Sequence, residues 1–184
     1  GDLTFSDDDL RGRYRDLAPT GIVDLVVIGC PQASVGEVRA TAAAVRARME
    51  LGEKISDHRL WIFTSGHNYK LLEADGTIDI LEEAGALVLR DTCPEVTPYN
   101  REKYNHILTN SLKAEHYLTS GLNRMPTSVA PIYECVAHAF DSTLIESIRP
   151  VLKTKASVPM HSNKTYQSGD CEMIGSSLPS QSEW

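Results

Sequence analysis

The stretch Ile22 to Gly29, IVDLVVIG, constrains the chain more than any other. It is almost continuously apolar, rich in β-branched residues and bounded by glycine. A strand with one wet face alternates apolar and polar residues; a continuous run marks a strand covered on both faces, as in a parallel sheet. Cys30-Pro31 ends the run. Beyond it, VGEVRATAAAVRARMELG is rich in helix formers. Val35, Val38, Ala42, Val45 and Met49 recur at helical spacing and give that helix one apolar face. Ser34, with Glu37 three residues on, forms a capping box at its start, and Gly52 is a plausible stop.

The same grammar repeats. Arg59 to Thr64 reads as a second strand, followed by a Ser65-Gly66 turn and a helix through Tyr69, Leu71 and Leu72. Asp75-Gly76 breaks that helix, and Thr77 to Ala84 resumes it up to Gly85. Ala86 to Leu89 is the expected third strand, Tyr104 to Leu108 the fourth and Thr127 to Val129 the fifth. A helix LKAEHYL follows Ser111, and Ile132 to Phe140 closes the pattern after Pro131. Alternating strands and helices predict an α/β domain, a parallel sheet flanked by helices.

Residues 1–20 read as a polar lead-in, a frayed segment or exposed helix, and 21–142 as the α/β domain. Residues 143–184 read as a low-order tail, since they become serine-rich and lose periodicity. The acidic start GDLTFSDDDL does not resemble a secretory signal, and a first residue other than Met reads as a fragment or processed chain. With 18 Lys+Arg against 25 Asp+Glu the net charge is −7. That weighs against nucleic-acid partners, which need phosphate neutralisation, and against a basic membrane-surface module. No apolar run approaches a bilayer span. The expected location is therefore cytoplasmic, where the four cysteines Cys30, Cys93, Cys135 and Cys171 stay reduced.

Ligands of parallel sheets bind beyond the carboxyl ends of the strands. Each expected strand ends in a polar or reactive cluster: Cys30, Thr64-Ser65, Asp91-Thr92-Cys93 and Thr109-Asn110-Ser111. Cys30 and Cys93 each precede a proline, near a helix start whose dipole favours thiolate. Two soft sulfurs on one rim suit iron, yet neither belongs to a CxxC pair, and the spacing alone favours two ordinary half-buried cysteines. Cys135 sits on an apolar helix face as a small buried hydrophobe. Ser111 and Lys113 open a helix and could meet an anion there, or Asn110 or Ser111 could simply cap it; Ser34 has the same two readings. The histidines show no metal-ligand spacing, and no GxGxxG, Walker A or GxSxG motif occurs.

Four segments in order carry a family resemblance: VDLVVIGCPQAS from Val23, WIFTS from Trp61, LEEAGALVLRDTCPEV from Leu81 and ILTNSLKAEHY from Ile107. With IYECVAHAF as a closing helix, roughly residues 20–142 resemble the C-terminal part of the aconitase X large subunit. The resemblance implies an iron-dependent hydro-lyase (dehydratase) that removes water from a small hydroxy acid. Candidate substrates are cis-3-hydroxy-L-proline or, in the archaeal branch, mevalonate 5-phosphate.

It implies an iron–sulfur cluster or a mononuclear iron held by three cysteines. Cys30 and Cys93 match two of them, and the third lies in an N-terminal half absent here. A swivelling small domain or subunit is the other implied partner. Ser111 becomes the candidate base or orienting group, an alkoxide supported by Lys113. Thr64, Ser65, Asn110 and Ser34 become candidate substrate-binding groups.

Two departures are visible. Gln32 stands where the family often has histidine, and Gly66-His67 where it commonly has an arginine or another residue. Two rival readings remain: an inactive fragment or assembly subunit without metal, and a thiol enzyme with Cys30 as nucleophile.

Overall fold

The computed structural model describes residues 4–55 and 58–140. The expected tail, with Cys171, lies outside them.

The described residues form five strands and six helices. In chain order they are α1 (Asp7–Asp16), β1 (Leu25–Ala33), α2 (Val35–Met49), β2 (Leu60–Thr64), α3 (Gly66–Ala74), α4 (Thr77–Glu83), β3 (Leu87–Arg90), β4 (Ile107–Thr109), α5 (Leu112–Ser120), β5 (Thr127–Val129) and α6 (Ile132–Ala139). A single 3-10 turn spans Pro94–Val96. The strands make one sheet in the order β3-β2-β1-β4-β5, every neighbouring pair parallel.

The apolar run that opens the sequence takes the central position. Leu25, Val26, Val27 and Ile28 are wholly buried. Each such side chain contributes roughly 1.5–3 kcal/mol relative to exposure. Val26 and Ile28 face a core built with Val38, Ala42 and Val45 of α2, Leu72 of α3, Ile78 and Leu81 of α4, and Cys135, Val136 and Ala139 of α6. Leu25 and Val27 face a second, smaller core with Phe63, Tyr99, Tyr104, Ile107, Met125, and Ala114 and Leu118 of α5. Asp24, the one acidic residue of the run, uses a single carboxylate oxygen to accept from the Asn105 and His106 amides at 2.9 and 3.1 Å. It thereby sets β4 beside β1.

Several expected boundaries move. β1 does not stop at Gly29 but bends there, passes a cis Cys30–Pro31 bond and resumes pairing at Ala33 opposite Thr64. The fourth strand starts at Ile107 rather than Tyr104. Tyr104 instead belongs to a turn closed by its amide on the Asn100 carbonyl at 2.9 Å, and packs edge-on against Trp61. β3 begins and ends one residue later than expected. The polar lead-in contains the exposed helix α1, capped reciprocally by Ser6 and Asp9. It is tied to the sheet: the Tyr14 hydroxyl donates to the Asn110 carbonyl at 3.2 Å, and the Val129 amide to the Leu17 carbonyl at 2.8 Å. No helix among the described residues is long and apolar enough to cross a membrane.

Candidate functional site

Strand order reverses between β1 and β4, because the chain builds β2 and β3 on one side of β1 and then returns to build β4 and β5 on the other. A crevice opens beyond the carboxyl ends at such a switch point. The bend of β1 and the β4–α5 junction meet there. Gly29 sits at φ +99°, and a Cβ on it would lie 2.4 Å from the Phe63 carbonyl oxygen, so only glycine fits. Its amide donates to Asn110 Oδ1 at 3.4 Å, while Asn110 Nδ2 donates to Glu37 Oε1 at 3.3 Å. Asn110 thus joins the two sides of the crevice through its own amide.

Cys30 follows at the bend, half-buried. Burial raises its pKa above the ordinary thiol value. The charge of Lys113 opposes this, neighbouring Cys93 adds to it, Ser111 opposes it, and Glu95 adds to it. The expected dipole-stabilised thiolate is therefore corrected: desolvation outweighs the cation and the hydroxyl, and the resting group is a thiol.

Cys93 reaches the same place from the sheet edge. β3 lies two strands from β1, which at ~4.8 Å per step is about 10 Å. The loop must cross the end of β2, and it turns back through Asp91 at φ +55°. The 3-10 turn that follows Cys93 is held by Thr97, whose hydroxyl donates to the Cys93 carbonyl at 2.9 Å. It is also held by Tyr99, whose hydroxyl donates to the Pro94 carbonyl at 3.0 Å. Tyr99 stacks on Trp61 with ring centroids 5.6 Å apart. Burial first, then the neighbouring Cys93, Glu95 and Cys30, push the Tyr99 phenol above its ordinary range.

The other predicted residues divide by how their polar atoms are used. Thr64 is fully buried and its hydroxyl donates to the Ala33 carbonyl at 2.9 Å. Ser65 caps α3 through the Asn68 amide at 3.1 Å, and Asp91 Oδ1 accepts from the Gly66 amide at 2.7 Å. Ser34 caps α2, and Glu37 accepts from the Ser34 amide at 2.9 Å. The starts of α2 and α3 are thus filled by the protein's own carboxylates. Ser111 caps α5, accepting from the Ala114 amide at 3.2 Å, and of the three serines it is the one that lowers the pKa of the candidate thiol. Lys113 lies 6.0 Å from the centre of the Tyr117 ring.

The carboxyl end of the sheet thus brings Cys93, Ser111 and Lys113 near Cys30, with Asn110 bonded to the neighbouring Gly29 amide, while the Thr64 hydroxyl is used within the fold. Sequence reasoning missed Glu95 and Tyr99. An acidic residue two places after a candidate thiol was the available signal for Glu95; nothing local marked Tyr99.

Two soft sulfur donors on one crevice have the chemistry to hold iron. Among the described residues, no three His, Cys, Asp or Glu side chains converge closely enough to hold a metal ion. Two thiols are fewer donors than an iron–sulfur cluster takes, so the described residues alone do not make a complete site.

Residues 23–141 match the family model described as the aconitase X third domain. The chain is 35% identical over 119 residues to the phosphomevalonate dehydratase large subunit of Methanocaldococcus jannaschii, covering 64% of this chain and 28% of that protein. It is 31% identical over 131 residues to the Aeropyrum pernix large subunit, covering 71% and 31%. Among solved structures it resembles the holo-form of Thermococcus kodakaraensis aconitase X. There the TM-score is 0.62 at 27% identity, over 73% of this chain and 33% of that one. The chain spans about a third of the length of these relatives.

Proposed function

The chain belongs to the aconitase X family, and from that premise we propose that it supplies one wall of the active site of a hydro-lyase acting on a small hydroxy acid. One observation carries the reading. Cys30 and Cys93, from strands that are not neighbours, come within electrostatic reach of each other beside Ser111 and Lys113.

Dehydration of a hydroxy acid breaks a C–H bond beside the carboxylate and a C–O bond at the next carbon, giving an alkene and water. Cys30 and Cys93 are the groups that would hold an iron–sulfur cluster or a mononuclear iron, which when bound supplies Lewis acidity for the departing hydroxide. Ser111 is the proposed proton acceptor or substrate-orienting group. Its oxygen already accepts from the Ala114 amide at the positive end of α5; Lys113, whose charge reaches neighbouring Cys30, is the proposed support for an alkoxide there. Asn110 positions the rim by spanning Gly29 and Glu37. Ser65 and Ser34 border the crevice as caps, and Thr64 belongs to the fold.

The relatives' printed names point to mevalonate 5-phosphate as one substrate. Cis-3-hydroxy-L-proline is the other we put forward. The remaining large-subunit segments and a swivelling small subunit are the proposed partners, in the cytoplasm.

Anaerobic reconstitution with ferrous iron and sulfide tests the reading. Stoichiometric iron in the wild type, lost in Cys30→Ser and in Cys93→Ser, supports it. Absence of iron with the missing segments supplied overturns it. That outcome favours an assembly subunit without metal.

A further inference from the structure

Cys93 stands on a loop that has left the sheet, so something must hold that loop over the crevice. Thr97 and Tyr99 hold it internally or against Trp61 on β2. Glu95 does something different. Its carboxylate oxygen Oε1 accepts from the Leu122 amide at 2.5 Å, and its main-chain carbonyl accepts from Asn123 Nδ2 at 2.6 Å. Both partners lie just past the end of α5, on the opposite flank of the crevice from β3. Gly121 makes room for this clasp. A Cβ there would stand 2.3 Å from Glu95 Oε1 and 2.6 Å from the Tyr117 carbonyl oxygen. The second carboxylate oxygen, Oε2, is buried and takes no hydrogen bond from the described residues.

We infer that Glu95 is a positioning residue, clasping the Cys93 loop to the α5–β5 turn so that Cys93 and Cys30 address one common centre. The inference rests on the reading above that the two thiols serve together. Glu95 acts through Cys93 and needs only one carboxylate oxygen for the task. An amide in its place keeps an acceptor for Leu122 and sets its NH2 where Oε2 has no partner to lose.

The test is a cadmium titration of the full chain in a Cys171→Ser background, read by the ultraviolet thiolate-to-cadmium charge-transfer band, with urea unfolding in parallel. The wild type is expected to show a tight phase that Cys30→Ser and Cys93→Ser each abolish. Glu95→Ala is expected to weaken that phase by about tenfold or more, the range seen when groups that orient metal ligands are removed. Glu95→Gln is expected to restore it. Asn123→Ala, which removes only the clasp on the Glu95 carbonyl, is expected to weaken the phase less, and it serves as the probe if Glu95→Ala does not fold. A tight phase untouched in Glu95→Ala, or in Asn123→Ala where the former is unfolded, overturns the clasp and leaves the shared centre standing. No wild-type phase that depends on both cysteines overturns both.

Discussion

Gly29 and Cys30 show how much one position can carry. Gly29 has a backbone conformation that strains any other residue and a carbonyl oxygen where a Cβ would go. Gly29→Ala is therefore expected to destabilise the fold by roughly 2–4 kcal/mol, read as a lowered urea midpoint. At Cys30 the raised pKa sets a reactivity. Below the ordinary thiol range both folded and unfolded chains carry the proton. As pH rises through that range the unfolded thiol ionises first, so the folded group reacts late. Iodoacetamide is expected to modify Cys30 more slowly than a peptide thiol at neutral pH, with the rate climbing only at higher pH. Rapid, pH-independent labelling near neutrality would revive the nucleophile reading. The glycine-cysteine-proline motif was legible in the sequence; the balance of burial over Lys113 was not, because desolvation depends on what folds over the thiol.

Helix starts separate binding from capping at the scale of elements. Ser34→Ala and Ser111→Ala each lose a cap and are each expected to cost about 1 kcal/mol in denaturant unfolding. Only Ser111 also lowers the Cys30 pKa, so only Ser111→Ala is expected to slow Cys30 alkylation further. Equal labelling in both variants would reduce Ser111 to a cap. At the α3–α4 junction, hydrogen bonds from Thr77 and then from Arg39 hold the Asp75 carboxyl below its ordinary pKa. A lowered folded pKa gives stability that is present above the unfolded value and lost as pH falls through the folded one. Acid unfolding of Asp75→Asn is therefore expected to be less steep across that window than that of the wild type.

Helix existence and the α2 capping box were legible because both are local patterns. The α3 start was not: its anion is Asp91, 25 residues on, and only the β2–β3 pairing brings it there. Tyr104 likewise read as strand from composition, and its packing on Trp61 made it part of a turn.

The whole molecule follows from the parallel sheet, and that much the apolar run at Ile22 to Gly29 announced. Which clusters meet was not legible, since strand order is a non-local choice. β1 and β4 bring Cys30 to Ser111, and a loop across β2 brings Cys93 within electrostatic reach of Cys30. Central position also predicts a gradient of protection. Amides of β1, paired on both sides, are expected to exchange with solvent more slowly than those of β3, which has one neighbour. Equal exchange across the sheet, measured by mass spectrometry, would count against a single cooperative core.

The same topology bears on birth of the chain at the ribosome. Of the five strands, β1 emerges first, yet it occupies the middle and cannot be flanked on both edges until Thr109 has appeared about 80 residues later. At bacterial-to-eukaryotic translation speeds that leaves its greasiest stretch half-shielded for roughly 4–15 s, an interval in which a holdase chaperone finds a natural client.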